Sequence, residues 1–217
     1  EILTCDWSSD VCSSDLGLHD SLVNYLGNRQ PEMLLCLHEE TAIAIAHGYA
    51  KVTGRPLAAA VHSNVGLMHG SMAVFNAYCD RMPLILLGAT GPVDASLRRP
   101  WIDWIHTSRD QGSLIRDFIK WDDQPVSLPH FAESAIRAYK IAMTPPMMPV
   151  LIMLDGGLQE DPIHPEIAGR LRVPRLTVAT PPQGDSGAVA EAARLLVNAQ
   201  NPVIVADRAA QIGRAHV

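Results

Sequence analysis

Between Met33 and Pro92 the chain alternates short apolar runs with longer stretches of helical periodicity. Met33 to Leu37 is an apolar run that stops at His38-Glu39-Glu40. From Glu40 to Thr53 the apolar positions Ala42, Ile43, Ile45, Ala46, Tyr49 and Ala50 recur at helical spacing, and Gly54 supplies a stop. Leu57 to Val61 is apolar again and ends at His62-Ser63-Asn64; a second helix is predicted over about Gly66 to Asp80, and a third strand over Pro83 to Leu87. Apolar runs of this length between helices predict an α/β fold, a parallel sheet flanked by helices on both faces. In such sheets chemistry collects at the carboxyl ends of the strands, where Glu39 and His62 fall.

The rest of the chain follows the same grammar. Gly17 to Gly27 predicts a helix, with Leu18, Leu22, Val23 and Leu26 on one face. Arg98 to His106 places Trp101, Ile102, Trp104 and Ile105 in a polar neighbourhood; it reads equally as a loop packed on its own domain or as a subunit contact. Gln111 to Arg116 predicts a short helix, Phe118 to Trp121 a strand, Phe131 to Met143 an amphipathic helix and Val150 to Leu154 a buried strand. Asp161 to Asp185, rich in Pro and Gly, reads as a linker. A helix over Ser186 to Ala199 and a strand over Pro202 to Ala206 then look like the opening of a second α/β unit.

Both ends look foreign to the fold. Asp10 to Asp15 back-translates to a strand whose reverse complement encodes Ile212 to Val217, and Asp6 to Leu16 resembles a translated sequencing adapter. The expected organisation is therefore a scar over 1–16, a first domain over 17–160, a linker over 161–185, the truncated start of a second α/β domain over 186–211 and a scar over 212–217.

Hydrophobic residues make up 47% and charged residues 18%, which allows a sizeable core. The formal charge of -6 and the absence of a basic cluster speak against nucleic acid as a partner. No apolar run is long enough to span a bilayer. Cys5 and Cys12 lie in or beside the N-terminal scar, while Cys36 and Cys79 give no disulfide framework, which fits a reducing cytoplasm.

Two residues stand out chemically. Glu39, at the end of an apolar strand, is placed for partial desolvation, which would raise its pKa and let it exchange a proton near neutrality. A helix-start glutamate favoured by the macrodipole is the plainer reading, for which Glu40 is the better candidate. His62 suits proton transfer, although a lone histidine is more often structural. His38, His47 and His69 are weaker candidates: His47 and His69 fall inside predicted helices, and no pair has zinc-site spacing, so no metal ligands are assigned. Ser63 and Ser71 lack a nucleophile-elbow context, and there is no Walker A loop and no G-x-G-x-x-G.

Leu37-His38-Glu39-Glu40, then His47-Gly48-Tyr49-Ala50 and Thr53-Gly54, resembles the N-terminal pyrimidine-binding domain of thiamine-diphosphate enzymes such as acetolactate synthases and benzoylformate decarboxylase. The resemblance covers roughly Gly17 to Asp161; His47 departs from it, since an acidic residue commonly precedes the Gly-Tyr-Ala. It implies that Glu39 hydrogen-bonds N1′ of the cofactor's aminopyrimidine and promotes the tautomer that takes the proton from C2 of the thiazolium. Ser63 and Gly66 are implied to bind cofactor beside Glu39. Val61-His62-Ser63-Asn64-Val65-Gly66 resembles the His-Ser segment of benzoylformate decarboxylase, which implies that His62 relays protons during decarboxylation of a small 2-keto acid; many acetolactate synthases carry Ser-Gly-Pro-Gly here. It further implies Mg2+ and diphosphate held by a Gly-Asp-Gly and a following Asn of a C-terminal domain that this chain lacks, and a homodimer or homotetramer with the active site between subunits. The fragment alone is expected to be inactive.

The leading expectation is thus part of a thiamine-diphosphate-dependent 2-keto acid decarboxylase or lyase. Its close alternative is an acetolactate synthase. A non-catalytic α/β binding or regulatory module is the reading from another class, and the retained Glu39 argues against it. A split enzyme with this domain as a separate subunit is a further reading, which the linker and partial second unit oppose.

Overall fold

A computed structural model describes Ile2–Cys5, residues 16–177 and residues 183–205. The chain divides into one unit up to Thr177 and a second from Val178. The first unit is built on strand β1 (Ile2–Cys5), helix α1 (Leu16–Asp20), β2 (Met33–Cys36), α2 (Glu39–Thr53), β3 (Ala58–Ala60), α3 (Ser63–Cys79), β4 (Ile85–Thr90), the short α4 (Asp103–His106), β5 (Trp121–Asp123), α5 (Leu128–Met143), β6 (Val150–Asp155), α6 (Gly156–Glu160) and α7 (Pro165–Arg170). The six strands form one sheet in the order β2-β1-β3-β4-β6-β5, every pair parallel.

Successive residues of the strands feed two cores on opposite faces of that sheet. Ala59, Leu86, Leu151 and Met153 join Ile43 of α2 and Leu67 and Val74 of α3 in one cluster. Ala60, Leu87, Val150, Ile152 and Leu154 join Ala138 and Ala142 of α5 in the other. The period of two explains why the strands read as unbroken apolar runs: both faces are covered. Each buried leucine or isoleucine contributes about 1.5–3 kcal/mol relative to exposure.

Helix α2 buries Ala42, Ile43, Ala46 and Ala50 along one stripe, and Gly54 ends it in the left-handed region at φ 70°. Small residues on both partners, Ala46 and Ala50 on α2 and Gly70, Ala73 and Ala77 on α3, keep the two axes close. A Cβ at Gly70 would meet Ile43 Cδ1 at 2.5 Å, so a larger residue there would push the Ile43 side chain aside. On the other face, Ser127 caps α5 by accepting from the His130 N–H. Lys120 Nζ donates to the carbonyls of Ile141, Thr144 and Pro146 at its far end.

Several boundaries differ from the sequence expectation. Ile2–Cys5, placed there in a terminal scar, forms a strand between β2 and β3. The stretch Ile-Leu-Thr-Cys has strand-forming residues, and it occupies the place between two strands that do not pair with each other. Residues 6–15 and 206–217, where the rest of the scar reading falls, lie outside the described residues. Helix α3 starts at Ser63 rather than Gly66, and α5 at Leu128 rather than Phe131. The expected helix over Gly17 to Gly27 passes from α1 into a π-helical turn, Ser21–Tyr25, closed by the Leu26 N–H on the Ser21 carbonyl. The fifth strand is Trp121–Asp123, because Phe118 closes a 3-10 turn and Phe118 and Ile119 pack into the α2/α3 core.

In the second unit, α8 (Ser186–Asn198) is capped by Asp185, which accepts from the Ala188 N–H. The strand expected from Pro202 has no pairing over residues 202–205; an isolated apolar run has no ladder to join.

Candidate functional site

Because every strand is parallel, all carboxyl ends meet at one edge of the sheet. The chain leaves β1 toward β2 on one side and leaves β3 toward β4 on the other. The crevice outside the carboxyl ends at such a reversal is the favoured ligand site of an open α/β sheet. Glu39 follows β2 and His62 follows β3, so the two expected residues flank this point.

Glu39 is the first residue of α2 and is only 1% exposed. A buried carboxylate needs partners for its lone pairs. His69 of α3 provides one, with Nδ1 2.7 Å from Glu39 Oε2. With the carboxylate as acceptor, Nδ1 is the nitrogen that carries the shared hydrogen. The other oxygen lies over Gly66, where a Cβ would come within 2.9 Å of Oε1. The bare backbone at Gly66 therefore gives Oε1 its room. Two of the expected site residues are thereby brought together, Glu39 and Gly66.

His62 is buried at the N-cap of α3. Its carbonyl accepts from the Gly66 N–H at 2.6 Å, which ties the imidazole's backbone to the glycine under Glu39. Its ring packs edge-on against His106 of α4, with centroids 5.1 Å apart and planes at 65°. Ser63 is fully buried and adopts φ 52°, an uncommon region for a residue with a Cβ. Its hydroxyl donates to the His106 carbonyl. Ser63 thus fastens α4 to the start of α3.

His69 and His106 were missed or set aside by sequence reasoning. His69 stands seven residues after His62 and three after Gly66, a spacing that puts all three near one face of α3. That periodicity was the available signal. For His106, set between two tryptophan-bearing turns and a threonine, the sequence carries none. The remaining histidines have structural surroundings. His47 Nε2 lies 2.9 Å from Asp80 Oδ2, and Lys51 donates to the same oxygen at 2.6 Å. His38 packs edge-on against His69 at 5.3 Å. His130 Nε2 and the Ser134 hydroxyl share Asp123 Oδ2, the serine as donor, which fixes the end of β5 to α5.

Among the described residues no group of three or more His, Cys, Asp or Glu is arranged to hold a metal ion. Cys36 is buried, which pushes its thiol above the ordinary value, and Cys79 is exposed. No helix of the described residues is long and apolar enough to cross a membrane.

Residues 9–114 match the family model for the thiamine pyrophosphate enzyme N-terminal TPP-binding domain. Among curated proteins, the chain is 26% identical over 174 residues to benzoylformate decarboxylase of Pseudomonas aeruginosa, covering 79% of this chain and 31% of that protein. It is 28% identical over 174 residues to a probable 2-ketoarginine decarboxylase of the same organism, covering 80% and 30%. A probable chloroplastic acetolactate synthase of Oryza sativa subsp. japonica is 25% identical over 175 residues, covering 78% and 25%. Among solved structures, benzoylformate decarboxylase from Polynucleobacter necessarius shares the fold with a TM-score of 0.74 at 23% identity, over 93% of this chain and 34% of that one. The chain thus spans less than a third of the length of these curated relatives.

Proposed function

This chain carries the N-terminal domain of a thiamine pyrophosphate enzyme, and from that premise we propose that it forms the pyrimidine-binding part of a 2-keto acid decarboxylase of the benzoylformate decarboxylase type. The observation that carries the reading is Glu39: a carboxylate buried at the head of α2, with one oxygen held by His69 and the other facing the bare backbone of Gly66. That arrangement suits an aminopyrimidine edge, since no side chain at position 66 crowds Oε1 and the oxygen is left to a hydrogen-bonding ligand.

In this reading Glu39 holds or accepts the pyrimidine's proton at Oε1, and Ser63 and Gly66 form the floor beside it. When bound, thiamine diphosphate supplies the electron sink for loss of carbon dioxide. His62 stands at the carboxyl end of β3, across β1 from the end of β2 that carries Glu39, where its imidazole handles a proton at the reacting end of the substrate. The Ser63 and His106 contacts hold it in place. Mg2+ and the diphosphate belong to a part of the enzyme outside this chain, and a cytoplasmic location fits the cysteine usage.

The test is Glu39→Gln in the full-length enzyme. It retains the shape and removes the charge, so turnover of a 2-keto acid should fall by about 10²–10⁴-fold, the usual worth of a positioned acid or base. Retained turnover overturns the assignment. A second reading, acetolactate synthase, is supported by the relative from Oryza sativa. Product analysis with pyruvate separates the two: free aldehyde supports decarboxylation, and acetolactate supports ligation. His62 favours the former, since release of an aldehyde needs a proton returned to carbon.

A further inference from the structure

Glu39 presents an unusual combination. Its carboxylate is shut off from water, yet its one hydrogen-bonded side-chain partner among the described residues is half exposed: His69 has 46% of its side chain open against 2% for Glu39. The contact is short, 2.7 Å from Nδ1 to Oε2. His38, the residue before Glu39 and the N-cap of α2, packs edge-on against the His69 ring at 5.3 Å and 64°, which restricts its rotation. The imidazole is thus held with one nitrogen on the buried carboxylate and its body toward the outside of the domain. A phenyl group would fill the same space without the bond. An asparagine would keep a donor at the same place on the side chain but could not pass a proton through.

We propose that His69 is the positioning residue of Glu39: it fixes the carboxylate so that Oε1 faces the ligand over Gly66, and it is the link through which Glu39 exchanges protons with the exterior. The proposal rests on the assignment of Glu39 to the cofactor's pyrimidine. The transfer balances as follows. Starting from the protonated carboxyl, Glu39 gives the proton on Oε1 to its ligand. The His69 Nδ1–H bond breaks as that hydrogen passes to Oε2. As it does, Nε2 takes a proton from outside, so the imidazole stays neutral and ends in its other tautomer. One proton has moved inward, and no oxidant or further reactant is needed.

Two substitutions in the full-length enzyme, His69→Asn and His69→Phe, separate holding from relaying. They are read by thiamine diphosphate affinity, from a calorimetric titration of the cofactor-free protein, and by the rate of deuterium exchange at C2 of the bound cofactor. His69→Asn should keep affinity within about twofold and slow exchange by about tenfold or more, a smaller loss than the about 10²–10⁴-fold of a group that acts directly, because His69 acts through Glu39. His69→Phe should slow exchange and also weaken affinity by about tenfold, the equivalent of one hydrogen bond to a charged group. Exchange at the native rate in His69→Asn overturns the relay, and unchanged affinity in His69→Phe overturns the holding role. Glu39→Gln, measured alongside, keeps the two levels apart. If it too exchanges at the native rate, the assignment of Glu39 fails; if it is slow while both His69 variants behave as native, only the role of His69 fails.

Discussion

At the scale of single residues, the site depends on an absent side chain as much as on the charged ones. A methyl group at Gly66 would sit 2.9 Å from Glu39 Oε1 and 3.1 Å from its Cγ. Neither the carboxylate nor the helix start can yield cheaply, so Gly66→Ala should cost about 1–3 kcal/mol, the usual penalty of overpacking. Gly48, inside α2, has nothing within 4 Å of the position its Cβ would take. There the same substitution should stabilise by about 0.8–1 kcal/mol through helix propensity alone. Urea unfolding of both variants checks the pair, and opposite signs are the expected result. This contrast also marks how far the sequence goes. Glu39 and His62 were legible because a carboxyl strand end has a recognisable pattern: an apolar run, then polar residues, then helical periodicity. By its own pattern Gly66 is a helix-opening glycine, which the family resemblance implies to lie by the cofactor, and the need for it comes from a carboxylate 27 residues earlier in the chain. His69 is a weak candidate by sequence because it stands inside a predicted helix. Its role depends on which face of α3 meets the head of α2, and that follows from small residues at the crossing rather than from any local motif.

At the scale of elements, α2 and α3 are the pair on which the site is built, and a polar clip closes their far end. Asp80 follows the last turn of α3, where the helix dipole disfavours a negative charge. Lys51 and His47 of α2 compensate it at 2.6 and 2.9 Å. The hydrogen bond from Lys51, and then His47, holds the Asp80 carboxyl below its ordinary value of 3.8. A folded-state value below the unfolded one means that the unfolded chain binds the proton first as pH falls. The stabilisation is therefore full above about pH 4–5 and drains away as pH drops through 3.8 toward the lower folded value. A third of the Asp80 side chain is exposed, so solvent screening limits the effect to about 0–1 kcal/mol. Asp80→Asn should remove that part of the acid-side slope, and urea midpoints across this range test it. An unchanged slope would mean that solvent already screens the clip. Little in the sequence announces this clip, since His47 stands where an acidic residue is common and its partner Asp80 lies 33 residues away. The shifted fifth strand has a similar cause: Lys120 looked like a polar position in a strand, but it caps α5, and pairing begins one residue later.

At the scale of the whole molecule, the segment from Leu97 to His106 connects the site to a surface that water alone covers poorly. Trp101 and Trp104 are 62% and 74% exposed, which removes the reading of these two rings as packed on their own domain. The backbone that presents them is not loose. Arg99 pairs with Asp103, Arg98 donates to the carbonyls of Pro92 and Val93, and the Ser63 hydroxyl holds the His106 carbonyl. Two large rings held outward on a braced turn fit the profile of an interface anchor, since aromatic residues concentrate binding energy at such sites. On the proposed function, the expected occupant is a second copy of the enzyme. Trp101→Glu with Trp104→Glu should then lower the mass of the full-length enzyme by light scattering at micromolar concentration. The dissociation constant should rise by about tenfold or more per ring, since each hot-spot side chain is commonly worth 2 kcal/mol or more. The braced turn adds a second expectation. His106 touches both Ser63 and the ring of His62, so a loosened turn should reach the residue proposed to handle protons. If the partner braces the turn, the double variant loses aldehyde release in step with its mass, and raising the protein concentration restores both together. If the turn is rigid by itself, mass falls while turnover per site is kept, and association and chemistry are independent in this enzyme. An unchanged mass would remove the two tryptophans from the interface.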